Sequence, residues 1–454
     1  MMAMRLSEAA GVLEAGYSGA DVRFAGISTD TRTLAEDNLF FALTGPRYDG
    51  HDYLDAAQAR GAAAAAVSRP VSTTLPLLQV ADTRYALGQL ARHWRGRFDI
   101  PVVGITGSNG KTTVKEMITA ILAQRGAVLA TRGNLNNDIG VPLTLAGLAP
   151  EHRSAVVEMG ANHAGEIAYL TGLTRPTVGI VTNAGPAHLE GFGSLEGVAH
   201  AKGELFAGLD RDAVAVINAD DRFAAVWREL AQGRRILSFG LQPGADVGAD
   251  WRATAQGTEL MLRTPQGEID VQLPLLGRHN VLNALGATAA ALAAGADLDD
   301  VRQGLEGLAG VAGRLQRKTR ADGGLVIDDT YNANPASLRA AIDVLSAFPG
   351  ERWLVLGDMG ELGADAAALH AEIGVYARDA GIDRLFTLGE FSAQAARACG
   401  ANAQACEDFD ALLDALRREL HAGVTVLVKG SRYMGMERVV QALTAPASGG
   451  KSAC

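Results

Sequence analysis

Thr106-Gly107-Ser108-Asn109-Gly110-Lys111-Thr112-Thr113 decides how this chain is read. Residues 100–105 (IPVVGI) just ahead of it form a short apolar run of the kind a parallel sheet buries on both faces. Behind it, Val114, Met117, Ile118, Ile121 and Leu122 recur at helical spacing, which puts Lys111 at a helix N-terminus. Free backbone N–H groups there favour anions, and Gly107 and Gly110 let the chain come close to phosphate oxygens. Ser108, Asn109 and Thr113 complete the loop, Lys111 can reach the outer phosphates, and the Thr112 hydroxyl can ligate Mg²⁺. The pattern predicts a nucleotide triphosphate held between a buried strand and a helix. Its spacing is shorter than the commonest phosphate loop, because Ile105 stands where that pattern has its first glycine.

Outward from the loop, apolar strand candidates recur at 154–159, 177–182 and 213–218 with helices between them, which implies a mostly parallel, doubly wound sheet. Between 250 and 276 the pattern changes: TELMLRT and EIDVQLP flank Pro265-Gln266-Gly267 and read as a β-hairpin. Residues 1–97 read as a small α/β module, with strands near 39–43 and 63–67 and helices over 54–60 and 85–95. A boundary is expected near 97 and another near 312. Residues 313–444 alternate again, with strands at 324–328, 352–356, 384–388 and 424–428, so a third, Rossmann-like α/β domain is expected, although no G-x-G-x-x-G follows its first strand. The tail 445–454 is compositionally disordered. The fold class is therefore α/β in three domains, 1–97, 98–312 and 313–444.

A chain of 454 residues with 48% hydrophobic content can build several cores. A net charge of −10 argues against nucleic acid as a main partner, since phosphate backbones select basic faces. Cys399, Cys406 and Cys454 have no metal-ligand spacing and give no disulfide framework, which fits a reducing cytoplasm. No signal peptide is read in MMAMRLSEAAGVL. The Ala-rich stretch 281–296 is shorter than a membrane span and reads as a close-packed helix.

Glu158 closes the strand after the loop helix, where a carboxylate faces the phosphate loop across the sheet's carboxyl edge and can hold Mg²⁺. His188, in TNAGPAHLEG, follows the next strand and points to the same cleft. Lys202, in AHAKGELF, reads by itself as a solvated helix lysine.

The short loop TGSNGKTT resembles the ATP loop of the Mur ligase superfamily, the amide-forming enzymes of peptidoglycan precursor synthesis and their folylpolyglutamate synthetase relatives. Further segments up to about residue 443 are similar to that family: EMGANH, TNAGPAH, Gly277-Arg278-His279-Asn280, Gly313-Arg314-Leu315, DDTYNANP and VKGSR. The resemblance implies a carbamylated Lys202 that helps hold a second Mg²⁺ alongside Thr112, Glu158 and His188. It also implies adenine contacts from His279 and Asn283, and an interdomain Arg314 that reaches the γ-phosphate. Asn134, Asn136 and Asn137 would face the muropeptide, and Asp329, Tyr331, Asn332, Asn334, Lys429 and Ser431 would line the third domain's side of the cleft. Ser28, Thr29, Asp30 and Arg32 resemble part of the UDP-sugar module.

GNLNNDIGVP, DDTYNANP and VKGSR point to the branch that uses ATP to join D-alanyl-D-alanine to UDP-N-acetylmuramoyl-tripeptide (UDP-MurNAc-tripeptide) through an acyl phosphate. Small-molecule substrates, two Mg²⁺ ions, a cytoplasmic location and a monomer are what that resemblance implies. Competing readings are a folylpolyglutamate synthetase, the tripeptide-forming ligase, and a phosphate-loop switch or motor. The N-terminal module stands against the first and DDTYNANP against the second, and nothing suggests a nucleotide-sensing loop for the third.

Overall fold

The computed structural model describes residues 1–186, 189–254, 257–310 and 312–445. The apolar run ahead of the loop is the strand Val102–Thr106, every residue of it buried. It is flanked in parallel by Val178–Val181 and His152–Glu158 in a six-stranded sheet. The full order runs Arg235–Phe239, Val214–Asn218, Val178–Val181, Val102–Thr106, His152–Glu158, Ala127–Ala130, all parallel. The register pairs Glu158 with Ile105, so the carboxylate leaves the sheet at the same edge as the phosphate loop. That edge is where an open α/β sheet collects ligands.

The loop helix Lys111–Leu122 buries Val114, Met117, Ile118, Ile121 and Leu122, the residues whose spacing predicts it. Against it packs Arg278–Ala293, whose run of small residues is buried nearly all round and so lets two helices come close. Among the described residues no helix is long and apolar enough to cross a membrane. The expected hairpin is present as Thr258–Thr264 against Gly267–Leu273, and a further antiparallel strand, Gly248–Ala253, extends it to three.

Residues before 97 carry a five-stranded mixed sheet and a two-stranded ribbon. Their apolar core does not stop at the helix Thr83–Arg95. One cluster of buried residues runs from Met2 to Ala231. Trp94 Nε1 donates to Leu148 O at 3.1 Å and Arg95 Nε to Thr174 O at 3.1 Å, binding that helix to the central layer.

The C-terminal sheet has the order Gln316–Thr319, Leu325–Asp329, Val424–Lys429, Glu351–Gly357, Arg384–Leu388, Ala403–Cys406, parallel except for its first strand. The two edge strands escape sequence reading because Gln-Arg-Lys-Thr and Ala-Gln-Ala-Cys are not apolar runs. Residues 446–454, the rest of the expected disordered tail, lie outside the described residues.

Candidate active site

A cavity of about 1120 Å³ opens between the phosphate loop, the N-terminal module and the carboxyl edge of the C-terminal sheet. Ser108, Asn109, Gly110, Lys111 and Thr112 form one wall. The loop's shape needs its glycines: at Gly107 φ is +144° and a Cβ would overlap Thr182 Oγ1, and at Gly110 φ is +81° and a Cβ would lie 2.5 Å from Asn283 Oδ1. The next strand's end braces the loop. Thr182 Oγ1 donates to Asn109 O at 2.6 Å, and the Asn183 side chain accepts from Asn109 N and donates to Asn109 O, both at 3.0 Å. Lys111 Nζ arches back to donate to Gly107 O at 2.6 Å. Burial pushes its pKa down, Glu158 draws it back up and Arg314 pushes it further down, so the three groups feel one another's charge.

Glu158 is buried. Its Oε1 accepts from Asn136 Nδ2 at 2.9 Å, while Oε2 is buried with no hydrogen-bond partner. Its backbone N–H donates to Thr131 Oγ1 at 2.9 Å, and Thr131 O accepts from the buried Lys115 Nζ at 2.8 Å. A carboxylate oxygen left unsatisfied in the interior is costly unless a cation or donor completes it. With the Thr112 hydroxyl on the same cavity, Glu158 offers the hard oxygen ligands Mg²⁺ takes when phosphates supply the rest. Among the described residues no cluster of three or more His, Cys, Asp or Glu could hold a metal without such help. His188 lies outside the described residues.

Lys202 is 2% exposed. Its Nζ donates to Ala161 O at 3.2 Å, and Ala161 lines the cavity; the ammonium also sits 5.1 Å over the Phe192 ring. Burial, aided by the charge on Lys111, lowers its pKa to about 7. It is therefore not the solvated helix lysine its local sequence suggests.

From the C-terminal side, Arg314, Tyr331, Asn332, Asn334 and Ser431 line the cavity. Arg314 stacks 4.3 Å over Tyr331, and its Nε is buried without a partner. Asn334 caps the helix Pro335–Ser346 and its Nδ2 donates to Asn109 Oδ1 at 2.7 Å, tying this module to the phosphate loop. Asp329 and Lys429 do not line the cavity. They form a buried ion pair at 2.5 Å, with Lys429 Nζ also donating to Asn332 O and Asp329 Oδ1 accepting from Leu315 N. Leu315 has φ +50°, rare for a branched residue, so this pair pins the turn that presents Arg314.

The structure brings Asn134, Asn136 and Asn137 to the cavity. The Asn137 Oδ1 is occupied in accepting from Gly140 N at 2.9 Å, at the start of the helix Gly140–Ala146. Asn283 lies behind Gly110 and bonds Asn280 at 3.1 Å. His279 sits near Asp329, Lys429 and Asp343, where burial lowers its pKa to about 4, so it is neutral at pH 7. Thr113 is buried in the helix and off the cavity. Ser28, Thr29, Asp30 and Arg32 do not line this cavity. Asp30 is taken up by Arg32, at 2.6 Å from its Nη2, and by the turn that Ser28 Oγ closes on Asp30 O. The N-terminal module reaches the cavity instead through Asp82, Arg84 and Tyr85.

Three family models match: the Mur ligase family catalytic domain over residues 23–95, the Mur ligase middle domain over 105–291, and the Mur ligase glutamate ligase domain over 313–432. The UDP-N-acetylmuramoyl-tripeptide--D-alanyl-D-alanine ligase of Escherichia coli (strain K12) is 47% identical over 450 residues, covering 98% of this chain and 99% of that one. The chain belongs to the Mur ligase family. Its likeness is to the MurF ligases over the full length. The crystal structure of MurF from Acinetobacter baumannii matches with a TM-score of 0.92 at 37% identity, over 98% of this chain and 99% of that one. MurF from Thermotoga maritima in complex with ADP matches at 0.82 and 30% identity, over 92% and 97%. A Mycobacterium tuberculosis folylpolyglutamate synthase shares the fold alone, at 19% identity.

Several residues of this Mur ligase's cavity were not singled out from sequence: Tyr85, Asp138, Tyr169, Glu361 and Tyr433. Asp138 and Arg84 pair across the cavity wall at 3.2 Å. Only Asp138 stood inside a segment the resemblance had marked.

Proposed function

We propose that this protein is an ATP-dependent amide ligase that joins D-alanyl-D-alanine to UDP-MurNAc-tripeptide, forming UDP-MurNAc-pentapeptide in peptidoglycan precursor synthesis in the cytoplasm. The observation that carries it is the convergence of Lys111, Glu158 and Arg314 on one cavity walled by all three parts of the chain. Full-length likeness to proteins named for that reaction supports it.

A carboxylate cannot acylate an amine directly, because oxide would have to leave. Its oxygen attacks the γ-phosphorus of ATP, the bond to ADP breaks, and an acyl phosphate forms. The amine nitrogen then attacks the acyl carbon and phosphate departs with the carboxylate's oxygen. The protein's part is positioning and charge neutralisation. Lys111 and the loop N–H groups hold the outer phosphates, and Arg314, brought in from the C-terminal module by Tyr331 and the Asp329–Lys429 pair, meets the charge that builds on the transferring group. The Asn334–Asn109 bond is the latch that holds that module against the loop and keeps water from the acyl phosphate.

Thr112 and Glu158 would hold Mg²⁺, which supplies neutralisation of the phosphate oxygens when bound. Lys202, with a pKa of about 7, has a large neutral fraction at physiological pH. Addition of its nitrogen to CO₂ with loss of one proton would give a carbamate, an anionic oxygen ligand suited to a second Mg²⁺ beside Ala161.

The test is product analysis by mass after incubation with ATP, Mg²⁺, UDP-MurNAc-tripeptide and D-alanyl-D-alanine, with each omitted in turn. Pentapeptide and phosphate that appear only with the full set support the reading; ATP turnover indifferent to the omissions would sink it.

A further inference from the structure

Resting on the ligase reading, the second half of the reaction still lacks a group to take the proton that the attacking amine must lose. We infer that Glu361 receives it, holding the amine of the incoming dipeptide against the acyl phosphate.

Glu361 lines the cavity from the C-terminal side, in the loop that follows the strand Glu351–Gly357. The other ionised cavity residues contributed by that side are Arg314 and Arg432, both cations. Glu361 therefore carries the carboxylate of this wall, whereas the acids Asp82, Asp138, Glu158 and Glu166 belong to the walls opposite. Its backbone is strained: φ is +61°, a left-handed conformation unfavourable for a residue with a Cβ. The loop is anchored so that the strain persists. Asp358 accepts from Ser392 N at 2.7 Å, and its carbonyl accepts from Ser431 N and Ser431 Oγ at 2.9 and 2.6 Å. Met359 N donates to the buried His370 Nε2 at 2.9 Å. Gly360 packs on Tyr433, another cavity residue: a Cβ there would lie 3.3 Å from the ring. Leu315, at φ +50°, is the matching outlier beside Arg314. Two strained residues thus present an arginine and a carboxylate from one module toward the phosphate loop. The arginine answers the anion that is transferred. The carboxylate answers the nitrogen that arrives.

An α-amine with a pKa near 8 enters partly as its free base. One N–H is accepted by the Glu361 carboxylate, which directs the nitrogen lone pair at the acyl carbon. As the C–N bond forms, the nitrogen becomes positive and strongly acidic, and its proton passes to Glu361. The C–O bond to phosphate then breaks, the amide is left neutral, and Glu361 returns the proton to solvent. No oxidant, reductant or further reactant is needed.

The experiment compares Glu361→Gln and Glu361→Asp with the unaltered full-length protein, using two nucleophiles after ATP and UDP-MurNAc-tripeptide: D-alanyl-D-alanine and hydroxylamine. Hydroxylamine is largely uncharged at neutral pH and strongly nucleophilic, so it captures an acyl phosphate without a positioned base. For Glu361→Gln, kcat with D-alanyl-D-alanine should fall about 10²- to 10⁴-fold, the usual worth of a general base, more than KM rises. Hydroxamate should form at the rate of the unaltered protein, and Glu361→Asp should recover part of the loss. Equal loss with both nucleophiles, or no loss with D-alanyl-D-alanine, would overturn the assignment. Absence of pentapeptide and hydroxamate from the unaltered protein would instead overturn the ligase reading beneath it.

Discussion

The phosphate loop and the C-terminal wall face each other across one cavity, but they are built by different means. The loop acts through its own backbone: eight consecutive residues, two left-handed glycines and a helix start make the anion site, and neighbouring strands only brace it. The opposite wall acts through side chains drawn from four separated places, namely Arg314, Tyr331 with Asn334, Glu361, and Ser431 with Arg432. The first kind of site is continuous along the chain and so is written in the sequence. The second depends on the sheet order, which sets Leu325–Asp329, Val424–Lys429 and Glu351–Gly357 side by side.

The contrast breaks most sharply at Arg314. Arg314→Ala should reduce kcat about 10³-fold, as loss of an arginine that meets transferring phosphoryl charge does, while fluorescent-nucleotide binding changes little; Lys111→Ala should weaken both. Comparable nucleotide loss in the two variants would remove the distinction between walls. Next comes Lys429→Met, which strands the Asp329 carboxylate in the interior and should cost about 3–5 kcal/mol by denaturant unfolding, as broken buried pairs do. If Arg314 depends on that pair, a double Lys429→Met/Asp329→Leu variant should regain stability without regaining turnover.

A smaller effect lies in the central domain, at Lys202. Lys202 has its pKa lowered to about 7, so its neutral form, the one that adds CO₂, dwindles to about a tenth at pH 6. Added bicarbonate should therefore raise activity several-fold at pH 6 and hardly at pH 8, and Lys202→Met should be inactive and insensitive at both. A bicarbonate response that persists in Lys202→Met would place the effect elsewhere. The smallest effect concerns His279, half-buried and neutral with a pKa lowered to about 4 against 6.5 in a free chain. Between those values the unfolded chain binds the proton and the fold does not, so stability falls as pH drops from 6.5 through 4. Thermal unfolding from pH 7 to pH 4.5 should lose about 2 °C less in His279→Gln than in the unaltered protein.

How much of this was legible follows the same division. The parallel central sheet, the loop helix and Glu158 at the strand end could be read because buried strands are unbroken apolar runs and the glycine-lysine-threonine spacing is strict. Arg314 and the DDTYNANP segment are legible only through resemblance, which puts Asp329 and Lys429 on the cleft surface, whereas they lie one layer behind it holding Leu315. Ser28, Asp30 and Arg32 are tied to one another in a turn of the N-terminal module, away from this cavity. Glu361 stands in no motif of the sequence, and its φ and the cavity beside it set it apart.

In this mechanism the phosphate-loop side activates a carboxylate by phosphorylation and the C-terminal wall delivers an amine to it. Oxygen-18 in the terminal carboxylate of the tripeptide tests this directly. With ATP and D-alanyl-D-alanine, one labelled oxygen should appear in the released phosphate and one should remain in the new amide. Phosphate free of label would mean that the carboxylate never attacked phosphorus, which rules out the acyl phosphate.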